Sequence, residues 1–334
     1  MEDRKKIVAI IAIVAVLLVL LYFFSPLLDG IVLGVVFAYI VQPIKKWMEK
    51  RLSRRSASLI ATLLIVLPLL ALLILGLMEG FAQVSLLSEN VAFVQGRFGE
   101  IMGGLSLTQS QITMVSNLLS RFGSSFLDIL KGLPILHYAT ALVMLVLNGF
   151  IAVVACYYFL ADGNRLYKSM KRIFSERTMA VIDRSNKRVG EMLVGNFYAA
   201  FIISLISIPF LLYFRVPFWI IAVGFMFLAA MIPIFAEWMV LLPVSLYVLL
   251  ATDVTTFAIF LGVGLVFVYL IPEFVLRPVL VGKLSNTHPL LLLLAFVGGG
   301  IVFGISGFFL APIAVCVALA IYEDYTLHKE EDMR

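Results

Sequence analysis

The sequence predicts an all-α, polytopic membrane protein with about eight spans. Of its 334 residues, 63% are apolar and only 13% are charged, with a mean hydropathy of +1.10. A soluble domain is nearer half apolar and a quarter charged. The apolar residues also fall in runs of about 20, the length at which an α-helix crosses the hydrocarbon core. Most of the apolar surface must therefore face lipid or other spans.

The candidate spans follow in order along the chain. An unbroken run of 18 apolar residues, 7–24, follows the charged N-terminus. No small-residue cleavage site follows it, so we expect a retained first span rather than a signal peptide. The other candidates are 27–44, 57–78, 138–161, 197–214 and 254–271, with a short broken pair at 217–235 and 238–251 and a run at 289–322 that is too long for one span. Cys156 and Cys316 lie within apolar runs and are expected to be small packing residues.

Basic residues predict the orientation in the membrane. Of the 25 lysines and arginines, 17 lie in the N-terminus, in 45–55 and in 162–195. Because cytoplasmic loops are enriched in lysine and arginine, we expect these three regions to face the cytoplasm and 79–137 to face outside. The C-terminus carries mixed charge, and we place it in the cytoplasm. The predicted location is the plasma membrane.

Two segments between the spans have amphipathic patterns. The outer segment, 79–137, repeats apolar residues in steps of 3 and 4, which predicts two helices with a coiled-coil-like seam. It is either a hairpin on the outer membrane face or an oligomerisation or gating element. The inner segment, 162–195, places Leu166, Met170 and Ile173 on one face among basic residues, which is typical of helices at anionic lipid surfaces. Nucleic-acid binding is not expected, because the positive-inside bias already explains the charge.

These patterns divide the chain into five regions. They are 1–78 with spans one to three, the outer hairpin 79–137, span four at 138–161, the basic segment 162–195, and a C-terminal core with broken helices at 196–334. In this core, one apolar segment begins at Pro217 and is interrupted near Pro233. Another begins at Pro289 and is interrupted between Gly298 and Gly307. Paired interrupted segments indicate a transporter binding site, although short apolar runs also match by chance.

Three charged residues in the core are candidates for a solute or ion pathway. Glu237 lies between long apolar stretches, where an ionised carboxylate costs about 2.5–3.5 kcal/mol. It is either a titrating group facing a cavity or a residue at a loop apex in the headgroup region. Glu273 and Arg277 are spaced to pair on one helix face, between Pro272 and Pro278. They form either a pair that reopens to bind a polar solute or a structural clamp.

Polar and small residues around Pro289 extend this candidate pathway. Asn286 and His288 precede the proline, and His288 is either a proton relay or a capping residue. The glycines either pack closely, as Gly300 and Gly304 do in a GxxxG motif, or unwind the helix and offer backbone carbonyls to a ligand. The candidate hinge and backbone residues are Pro233, Pro278, Pro289, Gly298, Gly299, Gly300, Gly304, Gly307 and Pro312.

No enzymatic chemistry is predicted. Gly304-Ile305-Ser306-Gly307 is similar to the GxSG motif of intramembrane serine proteases, which need a histidine base on a later span. The only later histidine, His328, lies in the polar tail. The sequence has no HExxH motif, phosphate-binding loop or clustered metal ligands, so we expect no catalytic residues, no metal and no cofactor.

The C-terminal core resembles the AI-2E family of transporters, also called the PerM group. The resemblance rests on Leu276-Arg-Pro278, Gly282, His288-Pro289, Val297-Gly-Gly, Phe303-Gly304-Ile305-x-Gly307 and Pro312, with Ile232-Pro233 and Gly195-Asn196 upstream. The order of spans and basic segments is also similar over nearly the whole chain. Two positions depart from the family pattern. Ala236-Glu237 replaces a Gly-Pro pair, and Phe274 replaces an Asn.

The resemblance implies an exporter-type secondary transporter that forms a homo-oligomer. The family is named for efflux of autoinducer-2, a small polar signalling molecule, and some members are described as sodium(lithium)/proton antiporters. The leading hypothesis is export of a small polar solute, driven by an ion gradient or by the solute's own gradient. A Na⁺(Li⁺)/H⁺ antiporter using the same carboxylates is the first alternative. A membrane scaffold whose outer hairpin binds partners is the second.

Overall fold

The computed structural model describes residue 19 and residues 22–89, 135–231, 236–277 and 289–332. No β-strand occurs in these ranges, and the predicted all-α fold is confirmed. In chain order the helices are α1 Leu28–Met48, α2 Arg54–Glu89, α3 Ile135–Ile173, α4 Glu176–Tyr213, α5 Trp219–Ala230, α6 Ala236–Ala251, α7 Val254–Gly264 and α8 Pro289–Asp332. A 3₁₀ turn, Ser25–Leu27, precedes α1, and π-helical turns, Leu265–Leu270 and Pro272–Leu276, continue α7.

Six helical segments of the described chain are long and apolar enough to cross a membrane. They are Tyr22–Met48, Arg54–Gly76, Thr140–Ile173, Glu176–Tyr213, Val254–Leu276 and Leu290–Thr326. Helices α5 and α6 are apolar but shorter. The predicted first span, 7–24, lies mostly outside the described residues. So does the outer hairpin, of which 79–89 is described as the end of α2 and 135–137 as the start of α3.

The basic inner segment is not a separate helix. Helix α3 continues from its apolar part to Ile173, and α4 begins at Glu176 after a two-residue turn. The Ser175 hydroxyl accepts a hydrogen bond from the Thr178 N–H at 3.2 Å and so caps the start of α4. No proline interrupts 162–173, so helical hydrogen bonding continues past the apolar run. Leu166 and Ile173 are exposed there.

The described chain divides into two compact units. The first consists of residues up to Leu63, Ala139–Met179 and Leu294–Val315. The second consists of Leu64–Tyr138, Ala180–Leu293 and Cys316–Arg334. Helices α2, α3, α4 and α8 contribute residues to both.

In the first unit, α1 packs closely against α3 through two glycines. A Cβ on Gly30 would lie 2.5 Å from the Asn148 carbonyl oxygen, and one on Gly34 would lie 2.5 Å from the Ala155 Cβ. These glycines are four residues apart and therefore share a face of α1. The Asn148 side chain joins the helices further, because its Oδ1 accepts from the Gly30 N–H at 2.7 Å and its Nδ2 donates to the Pro26 carbonyl at 2.9 Å.

Helix α8 reverses direction at Phe303 and Gly304. Gly304 has φ 60° and ψ −140°, a conformation that an L side chain rarely adopts. Gly299 and Gly307 then face each other across the two arms, where a Cβ on Gly307 would lie 2.1 Å from the Gly299 carbonyl oxygen. The Asp29 carboxylate accepts a hydrogen bond from the Ser306 N–H at 2.8 Å. This bond satisfies one of the free backbone donors at the start of the second arm.

The second unit has its core among α4, α5, α6 and α7. Helices α5 and α6 form a short antiparallel pair, separated by residues 231–235. The buried apolar core is continuous through α4, α5, α6 and α7, with Phe260 of α7 fully buried and its ring centroid 4.7 Å from that of Phe210 on α4. This core packs α5 and α6 against α4 and α7.

We predict that Gly34→Ala lowers the thermal unfolding temperature, because the added methyl group collides with Ala155 of α3. Overpacking of this kind costs about 1–3 kcal/mol. Gly149→Ala in α3 is the matched control, because a Cβ there meets no atom of the described chain within 4 Å. Scanning fluorimetry of the detergent-purified protein measures both variants. Equal unfolding temperatures for the two would contradict the close approach of α1 and α3.

The hydrogen bonds of Asp253, which precedes α7, predict that the stability of the protein depends on pH. Its Oδ1 accepts from the N–H groups of Thr255 and Thr256 at 2.9 and 3.0 Å, and the Thr256 hydroxyl donates to Oδ2 at 2.7 Å. The Thr256 hydroxyl, followed by the Thr256 N–H, holds the pKa of Asp253 below its ordinary 3.8. The stabilisation is therefore complete above pH 3.8 and is lost as the pH falls through the lower folded-state value.

Asp253→Asn should keep the cap and remove this pH dependence, because Asn is an equally good N-cap that does not titrate there. Unfolding temperatures measured between about pH 2.5 and pH 5 should therefore fall more steeply for the wild type. Parallel curves for the two proteins would refute this role of Asp253.

Candidate functional site

Three charged side chains of the second unit lie together in its interior. The Arg277 guanidinium contacts Glu237 through Nη2 and Oε1 at 3.1 Å, and Glu273 through Nε and Oε2 at 2.6 Å. The side chains of Glu237, Arg277 and Glu273 are 1%, 8% and 11% exposed. We call these three residues the triad. The structure thus brings together the three charged residues that the sequence singled out.

Local chain geometry explains where Glu273 and Arg277 lie. Pro272 has no N–H, and its ring would collide with the carbonyl four residues earlier in an α-helix. The helix widens here to hydrogen bonds between residues five apart, from the Ile271 N–H to the Val266 carbonyl and from the Arg277 N–H to the Pro272 carbonyl. Such π-helical turns are rare and are frequently found at functional sites.

Glu237 reaches the same point from another element. It is the second residue of α6, next to the tip of the α5–α6 pair, and is one of the largest fully buried side chains of the described protein. Its neighbour Trp238 packs edge-on against Tyr269 of the π-helical segment, with ring centroids 5.2 Å apart. This ring contact holds the start of α6 against the continuation of α7.

Two uncharged groups of the described chain also contact Arg277. Nη2 also donates to the Ala230 carbonyl at 2.7 Å, and Nη1 donates to the Asn196 side-chain oxygen at 3.5 Å. All three guanidinium nitrogens are therefore engaged, by groups from α4, α5, α6 and α7. The Asn196 bond is at the long limit for a hydrogen bond, so it is weaker than the contacts with Glu237, Glu273 and Ala230.

The charges of the triad do not cancel. Counted by formal charge, two carboxylates and one guanidinium leave one negative charge. The Nε–H of Arg277 is not directed at Glu273 Oε2, so their contact is an ion pair rather than an aligned hydrogen bond. Within the described ranges, the buried Oε2 of Glu237 has no hydrogen-bond partner. A buried polar atom without a hydrogen bond is costly, so Oε2 of Glu237 can accept a hydrogen bond from a bound group.

The triad lies deep along the helices that carry it. At a rise of about 1.5 Å per residue, α5 extends about 18 Å from the turn at 214–218 to Ala230. Asn196 lies about 26 Å along α4 from Tyr213, next to the same turn. The hydrocarbon core of a bilayer is about 30 Å thick. A membrane boundary near this turn would therefore place the triad within the hydrocarbon core.

The other predicted pathway residues separate into two groups. Pro233, Pro278, Asn286 and His288 lie outside the described residues. Pro289 begins α8, and Gly298, Gly299, Gly300, Gly304, Gly307 and Pro312 lie in α8 within the first unit. There Gly304 forms the turn, and the close approach joins Gly299 to Gly307 instead of using Gly300 and Gly304 as one helix face.

Sequence reasoning missed three structural contributors. Asn196 was noted only for its resemblance to a family motif, although an amide in an apolar stretch indicates a hydrogen-bond partner. The Ala230 carbonyl gives no signal in the sequence. Asp29 interrupts an otherwise apolar region, and that isolation was the available signal for its bond to Ser306. The Ser306 hydroxyl donates to the Phe303 carbonyl at 2.9 Å.

Replacing Arg277 should strongly destabilise the protein. Arg277→Ala leaves two carboxylates buried without their shared cation, and removing one partner from a buried ion pair costs about 3–5 kcal/mol. Arg165→Ala is the matched control, because Arg165 pairs with Asp162 at 3.4 Å with the two side chains 76% and 48% exposed. An exposed pair contributes about 0–1 kcal/mol. The thermal unfolding temperature should fall clearly more in Arg277→Ala than in Arg165→Ala. A similar small fall in both would show that Arg277 is not paired with the two carboxylates in the membrane.

Comparison with known proteins places this helical arrangement among transporters. The model of the family described as "AI-2E family transporter" matches residues 11–327. A protein of Archaeoglobus fulgidus is 43% identical over 317 residues, covering 93% of this chain and 91% of that protein. A protein of Methanothermobacter thermautotrophicus is 27% identical over 311 residues, covering 90% and 89%. Both carry the description "Putative transport protein".

The family match covers nearly the whole chain, including every helix that holds the triad. It confirms the resemblance found in the C-terminal core and explains the series of apolar helices. The chain belongs to the AI-2E family of transporters, and it is a multi-pass membrane transport protein.

Proposed function

We propose that this protein is a secondary transporter that exports a small polar solute, and that the triad is part of its pathway. The observation that carries the proposal is the burial of Glu237, Glu273 and Arg277 at the tip of a helix pair too short to cross a bilayer. Ionisable groups at this depth are expensive and mark substrate and ion pathways. Short, broken helices are typical of transporter binding sites.

The triad offers a polar solute both donors and acceptors. Arg277 supplies N–H groups, and the carboxylates of Glu237 and Glu273 accept hydrogen bonds from hydroxyl groups. The 3.5 Å contact between Arg277 and Asn196 is the one that a solute displaces at least cost. An anionic solute is disfavoured, because the guanidinium is already shared by two carboxylates.

The proposed energy source is an ion gradient or the gradient of the solute itself. The sequence contains no phosphate-binding loop, and a membrane potential supplies about 2.3 kcal/mol per charge per 100 mV. The basic segments support an orientation in the plasma membrane with the N-terminus and the C-terminus in the cytoplasm. The family resemblance supports a homo-oligomer.

Na⁺(Li⁺)/H⁺ antiport is the second candidate. The net negative charge of the triad favours it, because a site with one excess carboxylate accepts a cation or a proton without any other solute. In that case the solute pathway and the ion pathway are the same, and transport needs no organic substrate.

Reconstitution into liposomes separates the two candidates. We expect counterflow of autoinducer-2 or of a small polyol through the wild type, and a loss of about tenfold or more in Arg277→Lys. Lysine keeps the charge but not the planar set of donors that spans two carboxylates and a carbonyl. Arg165→Ala should transport at the wild-type rate.

A sodium pulse applied to the same liposomes tests the antiporter. Internal pH changes without any solute counterflow would favour the second candidate. Equal counterflow in the wild type and in folded Arg277→Lys would show that the triad is not part of the pathway.

A further inference from the structure

We propose that two ion pairs between α4 and α8 form the cytoplasmic gate of the transport pathway. They join Arg184 to Asp324 and Arg188 to Glu323, and we call these four residues the clasp. The clasp is closed in this structure, and it opens to let a solute from the cytoplasm reach the triad. This inference rests on the proposed function, and it adds the point of entry and the contacts that control it.

One side of α4 leads from the clasp to the triad. Its residues at intervals of four lie along the same side of the helix, and here they are Arg184, Arg188, Met192 and Asn196. Asn196 contacts Arg277 of the triad at 3.5 Å. At a rise of about 1.5 Å per residue, Arg188 lies about 12 Å from Asn196 along α4. In the proposed orientation the clasp is therefore on the cytoplasmic side of the triad.

An apolar seam between α4 and α8 separates the clasp from the triad. The Sδ atom of Met192 lies 3.9 Å from the Sγ atom of Cys316, and both residues are buried. Ala320, one turn further along α8 towards the clasp, is fully buried as well. A polar solute that entered this closed seam would lose its hydrogen bonds to water without gaining others, which is costly. Passage of the solute therefore requires α4 and α8 to separate here.

The clasp opens more easily than the triad, because water reaches it. The side chains of Arg184 and Asp324 are 31% and 9% exposed. Those of Arg188 and Glu323 are 17% and 37% exposed. An ion pair in contact with water contributes little to stability, since water solvates its charges once they separate. The side chains of the triad are at most 11% exposed, so separating those charges costs more. The clasp can therefore break and re-form while the triad stays intact.

The thiol of Cys316 reports whether the seam is open. A buried cysteine is poorly accessible to a maleimide, so Cys316 should react slowly in wild-type liposomes. Arg188→Glu places two like charges opposite each other, and it should raise the labelling rate of Cys316 about tenfold, because the clasp is open for more of the time. Arg188→Glu combined with Glu323→Arg restores the pair with its charges exchanged, and it should restore slow labelling.

Cys156 is the internal control for this measurement. It is fully buried in the first unit, so unfolding would label both cysteines, whereas opening of the clasp labels Cys316 alone. Peptide mass spectrometry separates the two sites. If Arg188→Glu labels Cys156 as well, Glu323→Gln replaces it, because this change only neutralises the more exposed partner. Equal labelling of Cys316 in the folded variant and the wild type overturns the inference.

Locking the clasp distinguishes a gate from a static contact. Arg188→Cys combined with Glu323→Cys lets a short, reducible thiol cross-linker join α4 to α8. Counterflow of autoinducer-2 or of a small polyol should fall about tenfold or more on linking and return on reduction, because a gate must open in each cycle. Asp162→Cys combined with Arg165→Cys is the matched control, since it places the same link within α3. It should keep its counterflow.

The two measurements keep this inference apart from the proposed function. Counterflow that persists unchanged after linking refutes the gate, while export of a polar solute stands. Labelling of Cys316 that depends on the clasp, without any solute counterflow, refutes export of these solutes. In that case the clasp still controls the opening of the seam between α4 and α8.

Discussion

The arrangement of the second unit depends on the need to stabilise one guanidinium in an apolar interior. Arg277 is held by two carboxylates, a backbone carbonyl and a side-chain amide that come from four helices. A buried charge of this kind persists only where its partners are in place together. The end of α5, the start of α6 and the widened end of α7 are therefore joined through a single side chain.

Backbone chemistry limits how such a site is built. Irregular backbone at membrane depth is tolerated where it is buried in protein or lines a cavity. Pro272 prevents regular α-helical hydrogen bonding, and the π-helical turns restore the bonds with a different spacing. In the first unit, the turn at Gly304 leaves backbone donors free at Ser306, and Asp29 of α1 accepts one of them. These two interruptions are thus matched by hydrogen-bond partners from within the described chain.

Small residues let helices pack closely in the first unit, whereas charged residues form a buried cluster in the second. In the first, Gly30 and Gly34 let α1 approach α3, and Gly299 and Gly307 let the arms of α8 meet. Close packing and backbone contacts stabilise that unit, as is usual where lipid removes the hydrophobic drive between helices. In the second, large aromatic side chains such as Phe210 and Phe260 pack α4 against α7, and the charged residues meet in the triad.

The sequence by itself determined the helical class, the membrane environment, most of the spans and the family, because hydropathy and local motifs act over short stretches of chain. It also singled out Glu237, Glu273 and Arg277, since charges in apolar runs are rare. Tertiary structure decided the rest. The contact of Arg277 with Glu237 bridges 40 residues, and that with Asn196 bridges 81. Neither has a local signal, and the Ala230 carbonyl has none at all. Such partners depend on how the helices pack, so only the folded chain shows that one guanidinium is shared by two carboxylates.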